Sequence, residues 1–177
     1  MPMHYRITGL TLAAIGGAGL PAAAGAQTLD LSIAIPQLKV AEYHRPYVAI
    51  WLEKEGAAPR TLQVWYDFDG NSKEGAGTKW LRDMRQWWRV VGRGMTFPAD
   101  GVTGATRPAG GHKVTLVAGR GGMPALTPGN YKLMVEAARE VGGREVVTVP
   151  FTWNGTAARG AAKGTSELGA VTVSIKR

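Results

Sequence analysis

The chain has 177 residues, 21 Lys or Arg against 13 Asp or Glu, a formal net charge of +8 and no cysteine. Without a thiol there is no disulfide, no iron–sulfur cluster, no thiolate zinc site and no cysteine nucleophile. The basic pI near 10 invites a nucleic-acid reading, but the cations are spread along the chain and no nucleic-acid-binding motif accompanies them, so no such partner is expected and the charge reads as solubility with weak attraction to anionic surfaces.

Arg6 precedes an apolar run, Ile7 to Ala24, that ends in Ala24-Gly25-Ala26. This is the three-part pattern of a secretory signal with small residues at the cleavage point. Gly16, Gly17, Gly19 and Pro21 interrupt the run, which argues against a spanning helix, for which about 20 predominantly apolar residues are needed. Residues 1–26 are therefore expected to be removed, leaving residues 27–177 as a single domain outside the cytoplasm with no membrane span. Export also takes the chain away from most nucleic acid.

Leu29, Leu31, Ile33 and Ile35 fall at every second place, as in a half-buried strand, and Pro36 ends it. Tyr47–Leu52 and Thr61–Phe68 are aromatic and branched, are separated by Gly56 and Pro59, and read as a hairpin. Asp67–Gly77 reads as an exposed loop. Lys79–Val91 places Trp80, Met84, Trp87, Trp88 and Val91 on one side and Arg82, Arg85 and Arg89 largely elsewhere, which predicts one amphipathic helix with Thr78 as its N-cap. Gly92 and Gly94 stop it. Arg93–Gly111 is a long irregular Gly- and Pro-rich stretch, of the kind that often carries function.

Further strands are expected at Lys113–Ala118, at Tyr131–Ala138 after the Thr127-Pro128-Gly129-Asn130 turn, at Arg144–Trp153 after Gly142-Gly143, and at Ala170–Ile175. Thr156–Thr165 is rich in small residues. About seven strands with regular turns predict an all-β, two-sheet sandwich of immunoglobulin-like type, with one short helix and one long loop.

The most specific segment is Asp100-Gly101-Val102-Thr103-Gly104-Ala105-Thr106. It resembles the acceptor motif of extracytoplasmic flavoproteins, in which an Asp is followed by Ser or Thr, a small residue, Ala and a final Thr. The resemblance implies that an FAD-dependent flavin transferase esterifies FMN through its phosphate to Thr106. Asp100, Thr103, Gly104 and Ala105 would form the recognition segment. Arg107, His112 and Lys113 lie within a few residues and would neutralise the phosphate. Pro108 departs from the pattern, which often has Ser or Thr there, and the familiar acceptor fold mixes helix and sheet. The plain alternative is a Gly-rich turn whose Thr hydroxyls bond their own backbone.

A broader set of residues, Tyr47 to Glu53, Lys79-Trp80-Leu81, Asp100 to Gly110 and Pro128 to Tyr131, is similar to a family of predicted periplasmic proteins of unknown function. Its members tend to be encoded near flavin transferases and PepSY-type membrane reductases. The resemblance implies a periplasmic location and these two enzymes as partners.

Trp51, Trp65, Trp80, Trp87 and Trp88 are candidates for a ring-stacking platform, although Trp80, Met84 and one of Trp87 and Trp88 fit core packing. Asp67-Phe68-Asp69-Gly70-Asn71 has oxygen ligands at alternate places but lacks the Gly and Glu that a calcium loop wants later, so a polar turn is expected. His4, His44 and His112 make no metal pattern. Glu136, Arg139, Glu140, Arg144 and Glu145 read as charges facing across a hairpin and contributing little. No Ser-His-Asp spacing or carboxylate pair suggests a hydrolase. The expectation is a flavin carrier between a membrane reductase and an extracytoplasmic acceptor. A cofactor-free accessory module for metal or haem uptake, using residues 93–111 as its partner surface, is the alternative.

Overall fold

The computed structural model describes residues 26–68 and 77–177. The expected signal segment up to residue 25 and all but the start of the calcium-like run lie outside the described residues. Among them, nine strands form two sheets: β1 (Thr28–Ile35), β2 (Tyr47–Lys54), β3 (Arg60–Trp65), β4 (Thr103–Gly104), β5 (Gly110–Val117), β6 (Gly129–Ala138), β7 (Arg144–Trp153), β8 (Ala157–Lys163) and β9 (Ala170–Lys176). One sheet has the order β5-β1-β9-β8 and the other β4-β3-β2-β6-β7. This is the expected all-β sandwich. No helix among the described residues is long and apolar enough to cross a membrane.

The alternation in β1 sends Leu29, Leu31, Ile33 and Ile35 into the space between the sheets, where they meet Val48, Ile50, Leu133, Val135, Val149 and Val173. Each such side chain contributes about 1.5–3 kcal/mol by leaving water. β2 does not alternate, because both its faces are covered. Val48, Ile50 and Leu52 face the first sheet. Ala49 and Trp51 face outward into a second core with Val64, Tyr66, Leu81, Met84, Trp87 and Val102.

That second core corrects the single-helix expectation. Gly77–Asp83 is a 3-10 turn, the chain bends at Met84, α1 spans only Arg85–Val90, and Gly92–Gly94 is another short turn. The bend buries both Met84 and Trp87 against the sheet. Thr78 does not cap α1. Instead the backbone N–H groups of Gln86 and Trp87 donate to the carboxylate of Glu136 on β6, at 3.1 and 2.7 Å. A buried anion from the sheet thus does the work of a local N-cap.

Two strands were not visible to periodicity. β4 is only two residues long and runs parallel to β3. β8 is built of Ala, Gly, Arg and Lys, and has small residues because β7 passes close by. A Cβ on Gly160 would lie 2.8 Å from the Pro150 carbonyl oxygen and 2.8 Å from Val149. The stretch Arg93–Gly111 is correspondingly less irregular than expected. Met95, Phe97, Ala99 and Val102 lie over the outer face of the five-stranded sheet, and β4 extends its edge.

Candidate functional site

The acceptor-like segment is held by backbone contacts on both sides. Gly101 has φ of +68°, and a Cβ there would lie 2.5 Å from Cα of Gly121. Only glycine at both crossing points lets the two backbones approach this closely. Gln63 Nε2 donates to the Gly101 carbonyl at 2.9 Å. The next two anchors are the Val102 and Gly104 carbonyls, which accept from the N–H groups of Val64 and Tyr66, both at 2.9 Å. Gly104 also packs against Trp65, whose ring would stand 3.1 Å from a Cβ at that position.

Thr103 behaves as the plain turn alternative requires: its hydroxyl accepts from the Ala99 N–H at 2.8 Å. Thr106 does not. Its hydroxyl makes no hydrogen bond among the described residues, and the residue is half-buried where the ladder has ended.

Thr106 and Ala105 line an open cavity of about 460 Å³ whose walls carry four aromatic rings, Tyr43, Tyr47, Tyr66 and Phe68. The charged groups around it are His44, Arg45, Asp67 and Glu140. Tyr66 is the hub of the rings. Its ring lies edge-on to Tyr47 at 6.3 Å, to Phe68 at 6.1 Å and to Phe97 at 5.8 Å. Burial raises the Tyr66 phenol above its ordinary pKa, with the neighbouring Thr103 hydroxyl acting weakly the other way. The phenol therefore stays protonated. The buried hydroxyls of Tyr43 and Tyr66 complete no hydrogen bond of good geometry among the described residues. Both hydroxyl oxygens are themselves buried beneath the rings that line the cavity, so the cavity presents the tyrosines as aromatic walls.

His44 is held by Glu42 at 3.1 Å and Glu140 at 3.7 Å. Arg107 is drawn away from the cavity, its guanidinium lying 4.2 Å over the Trp65 ring. His112 meets the same ring edge-on at 6.1 Å, and its Nε2 is 2.7 Å from the Pro108 carbonyl. Lys113 is exposed on β5. Of the cations nominated from sequence, none lines the cavity. Arg45 and His44 do. Asp100 sits in an exposed turn three residues before Thr103.

The tryptophans pack as core and not as a platform: Trp51, Trp65 and Trp87 are fully buried in the two cores, Met84 is buried beside them, and Trp80 and Trp88 are half-buried on the helical segment. The late-hairpin charges are corrected. Glu136 is wholly buried and binds Arg144, at 2.5 Å, while Arg139 pairs with Glu167 at 3.1 Å, both side chains being buried. Glu145 accepts from the N–H groups of Thr165, Ser166 and Leu168. These carboxylates are structural anchors. A larger groove of about 580 Å³ lies at the opposite end of β2, around Lys54, Tyr131 and Phe151, and holds no residue of the acceptor-like segment.

Sequence reading missed Tyr43, Arg45, Tyr47, Tyr66 and Phe68 as site residues. The run Glu42-Tyr43-His44-Arg45-Pro46-Tyr47 mixes rings and charges just before a strand, and was the available signal. Among the described residues no group of three or more metal-ligating side chains gathers.

A family described as predicted periplasmic proteins, DUF2271, matches residues 28–170. No curated protein and no solved structure matches the chain.

Proposed function

We propose, from the premise that the chain belongs to the DUF2271 family of predicted periplasmic proteins, that it is a periplasmic flavin carrier with FMN esterified to Thr106. The observation that carries the reading is the contrast between two threonines of one segment. Thr103 spends its hydroxyl on the Ala99 N–H, whereas Thr106 keeps a free hydroxyl at the mouth of an aromatic-lined cavity.

A threonine hydroxyl is a weak nucleophile and needs a base and an electrophile supplied by another enzyme. The proposed transfer takes FAD as co-substrate in a flavin transferase. Thr106 Oγ1 forms a bond to the flavin-side phosphorus, the pyrophosphate bond breaks, AMP leaves and the hydroxyl proton passes to the transferase's base. The edge position of β4 and the exposed Ala105 suit such docking.

The cavity fits the group. Its volume of about 460 Å³ lies within the range of roughly 300–1,000 Å³ usual for ligand sites. Tyr43, Tyr47, Tyr66 and Phe68 offer ring contacts, and Arg45 offers a positive charge and N–H donors to a heterocycle rich in acceptors. FMN, when bound, supplies one- and two-electron chemistry. The chain's own part is to orient the ring, satisfy its edge and leave one side open toward a PepSY-type membrane reductase and an extracytoplasmic acceptor.

The test is co-expression in the periplasm with a flavin transferase that labels a control acceptor. Purified wild-type protein is expected to be yellow, with a flavin spectrum that survives denaturation, and Thr106→Ala to be colourless. A colourless wild-type protein overturns the reading and leaves the accessory-module alternative.

A further inference from the structure

The helical cap on the five-stranded sheet, residues 77–96, holds Lys79, Arg82, Arg85, Arg89 and Arg93 against a single acid, Asp83. Its net charge of four is half of the whole chain's +8. Arg82, Arg85, Arg89 and Arg93 are all exposed, and none has a carboxylate partner among the described residues. Arg85 and Arg89 stand one turn apart on α1, a like-charge spacing that weakens an isolated helix. α1 has only six residues and no side-chain cap of its own, so the fold tolerates this repulsion in an element held from beneath by Glu136 and by the buried Met84 and Trp87. Between the arginines the surface is apolar: Val90 is 41% exposed and Trp88 is half-buried.

Unpaired guanidinium groups interleaved with a tryptophan and an exposed aliphatic side chain form the composition of an interfacial segment. Guanidinium binds phosphate in a fork, and an amphipathic ring sits at headgroup depth. We propose that this cap is a docking face for an anionic phospholipid surface. A periplasmic chain faces membrane on either side, and the charge of the cap complements acidic headgroups. The proposal stands without the flavin reading but bears on it. Trp80 and Asp83 of the cap share a small cleft with Arg45, Tyr47 and Glu140, and these last three also line the Thr106 cavity. Docking through the cap would therefore bring that cavity beside the membrane.

The experiment is sedimentation of the exported protein with vesicles of phosphatidylglycerol and phosphatidylcholine, against pure phosphatidylcholine. Binding to the anionic vesicles alone, reversed by salt, is expected. Each basic residue at such a surface is worth about 1 kcal/mol, so Arg85→Gln with Arg89→Gln should weaken binding about thirtyfold. Arg159→Gln with Lys163→Gln, the same charge loss on β8 of the other sheet, should change it little. Thermal melting checks that both double variants fold, as exposed positions allow. Equal losses from the two double variants would show diffuse charge and overturn the proposal, as would wild-type protein that ignores the vesicles. Retention on immobilised polyglutamate with no vesicle binding would assign the face to an acidic protein and overturn it as well.

Discussion

Thr103 and Thr106 stand three residues apart in one segment and meet opposite fates. The first closes a turn onto Ala99, and the second is left open to a cavity. Thr103→Ala is expected to cost about 1 kcal/mol, one net hydrogen bond, and to slow flavin labelling without abolishing it, read as initial labelling rate beside a denaturant melt. Glu145 makes a sharper thermodynamic case. Burial alone would raise its carboxyl, but the N–H groups of Thr165, Leu168 and Ser166 and the Thr165 hydroxyl outweigh this and hold it at about 2 rather than 4.5. A depressed folded pKa gives stability that is full above 4.5 and is lost as pH falls toward 2. Glu145→Gln should therefore melt earlier at pH 7, by about 1–2 kcal/mol, and lose much less stability than wild type between pH 4.5 and 2. At this scale the sequence carried Thr106 and the acceptor-like segment. It did not carry Tyr43, Tyr66 or Arg45, because nothing in the spacing of residues forty or sixty places away says that they converge on one threonine.

Among the elements, α1 shows how tertiary contacts replace local signals. Its six residues are too few to persist alone, and its first N–H groups find their acceptor fifty residues later in Glu136. Glu136→Ala leaves those donors and Arg144 without their anion, and is expected to cost about 3 kcal/mol. The same variant should lose near-ultraviolet circular dichroism from the Trp87 and Trp88 pair, whose rings lie 6.1 Å apart. A change below 1 kcal/mol with an unaltered spectrum would show that packing of Met84 and Trp87 holds the helix unaided. Strands whose one face is buried, such as β1, were legible from their period of two. β8 was not, since closeness to β7 selects Ala and Gly and erases the hydrophobic signal. The bend at Met84 was hidden for a related reason: a 3-10 turn followed by a short α-helix presents nearly the same apolar residues as one continuous helix.

For the molecule as a whole, two sheets bury one core between them, and the five-stranded sheet buries a second under the helical cap and the Arg93–Gly111 segment. This second layer explains the uninterrupted apolar run of β2, and it places the acceptor-like segment at a sheet edge, where another enzyme can reach it. The sandwich class was readable from strand number and turn spacing. The covering layer was readable only as an amphipathic stretch and a long loop, each apparently separate. The account's central claim is that this edge exists to present one hydroxyl, and peptide mass spectrometry tests it most directly. Arg107 precedes Pro108, a bond trypsin resists, so the informative peptide is Gly94–Lys113. After co-expression with an active flavin transferase, that peptide is predicted to carry the mass of one FMN ester, with fragment ions placing it on Thr106. An unmodified peptide, or a flavin located on Thr103 or Thr96, would contradict the account.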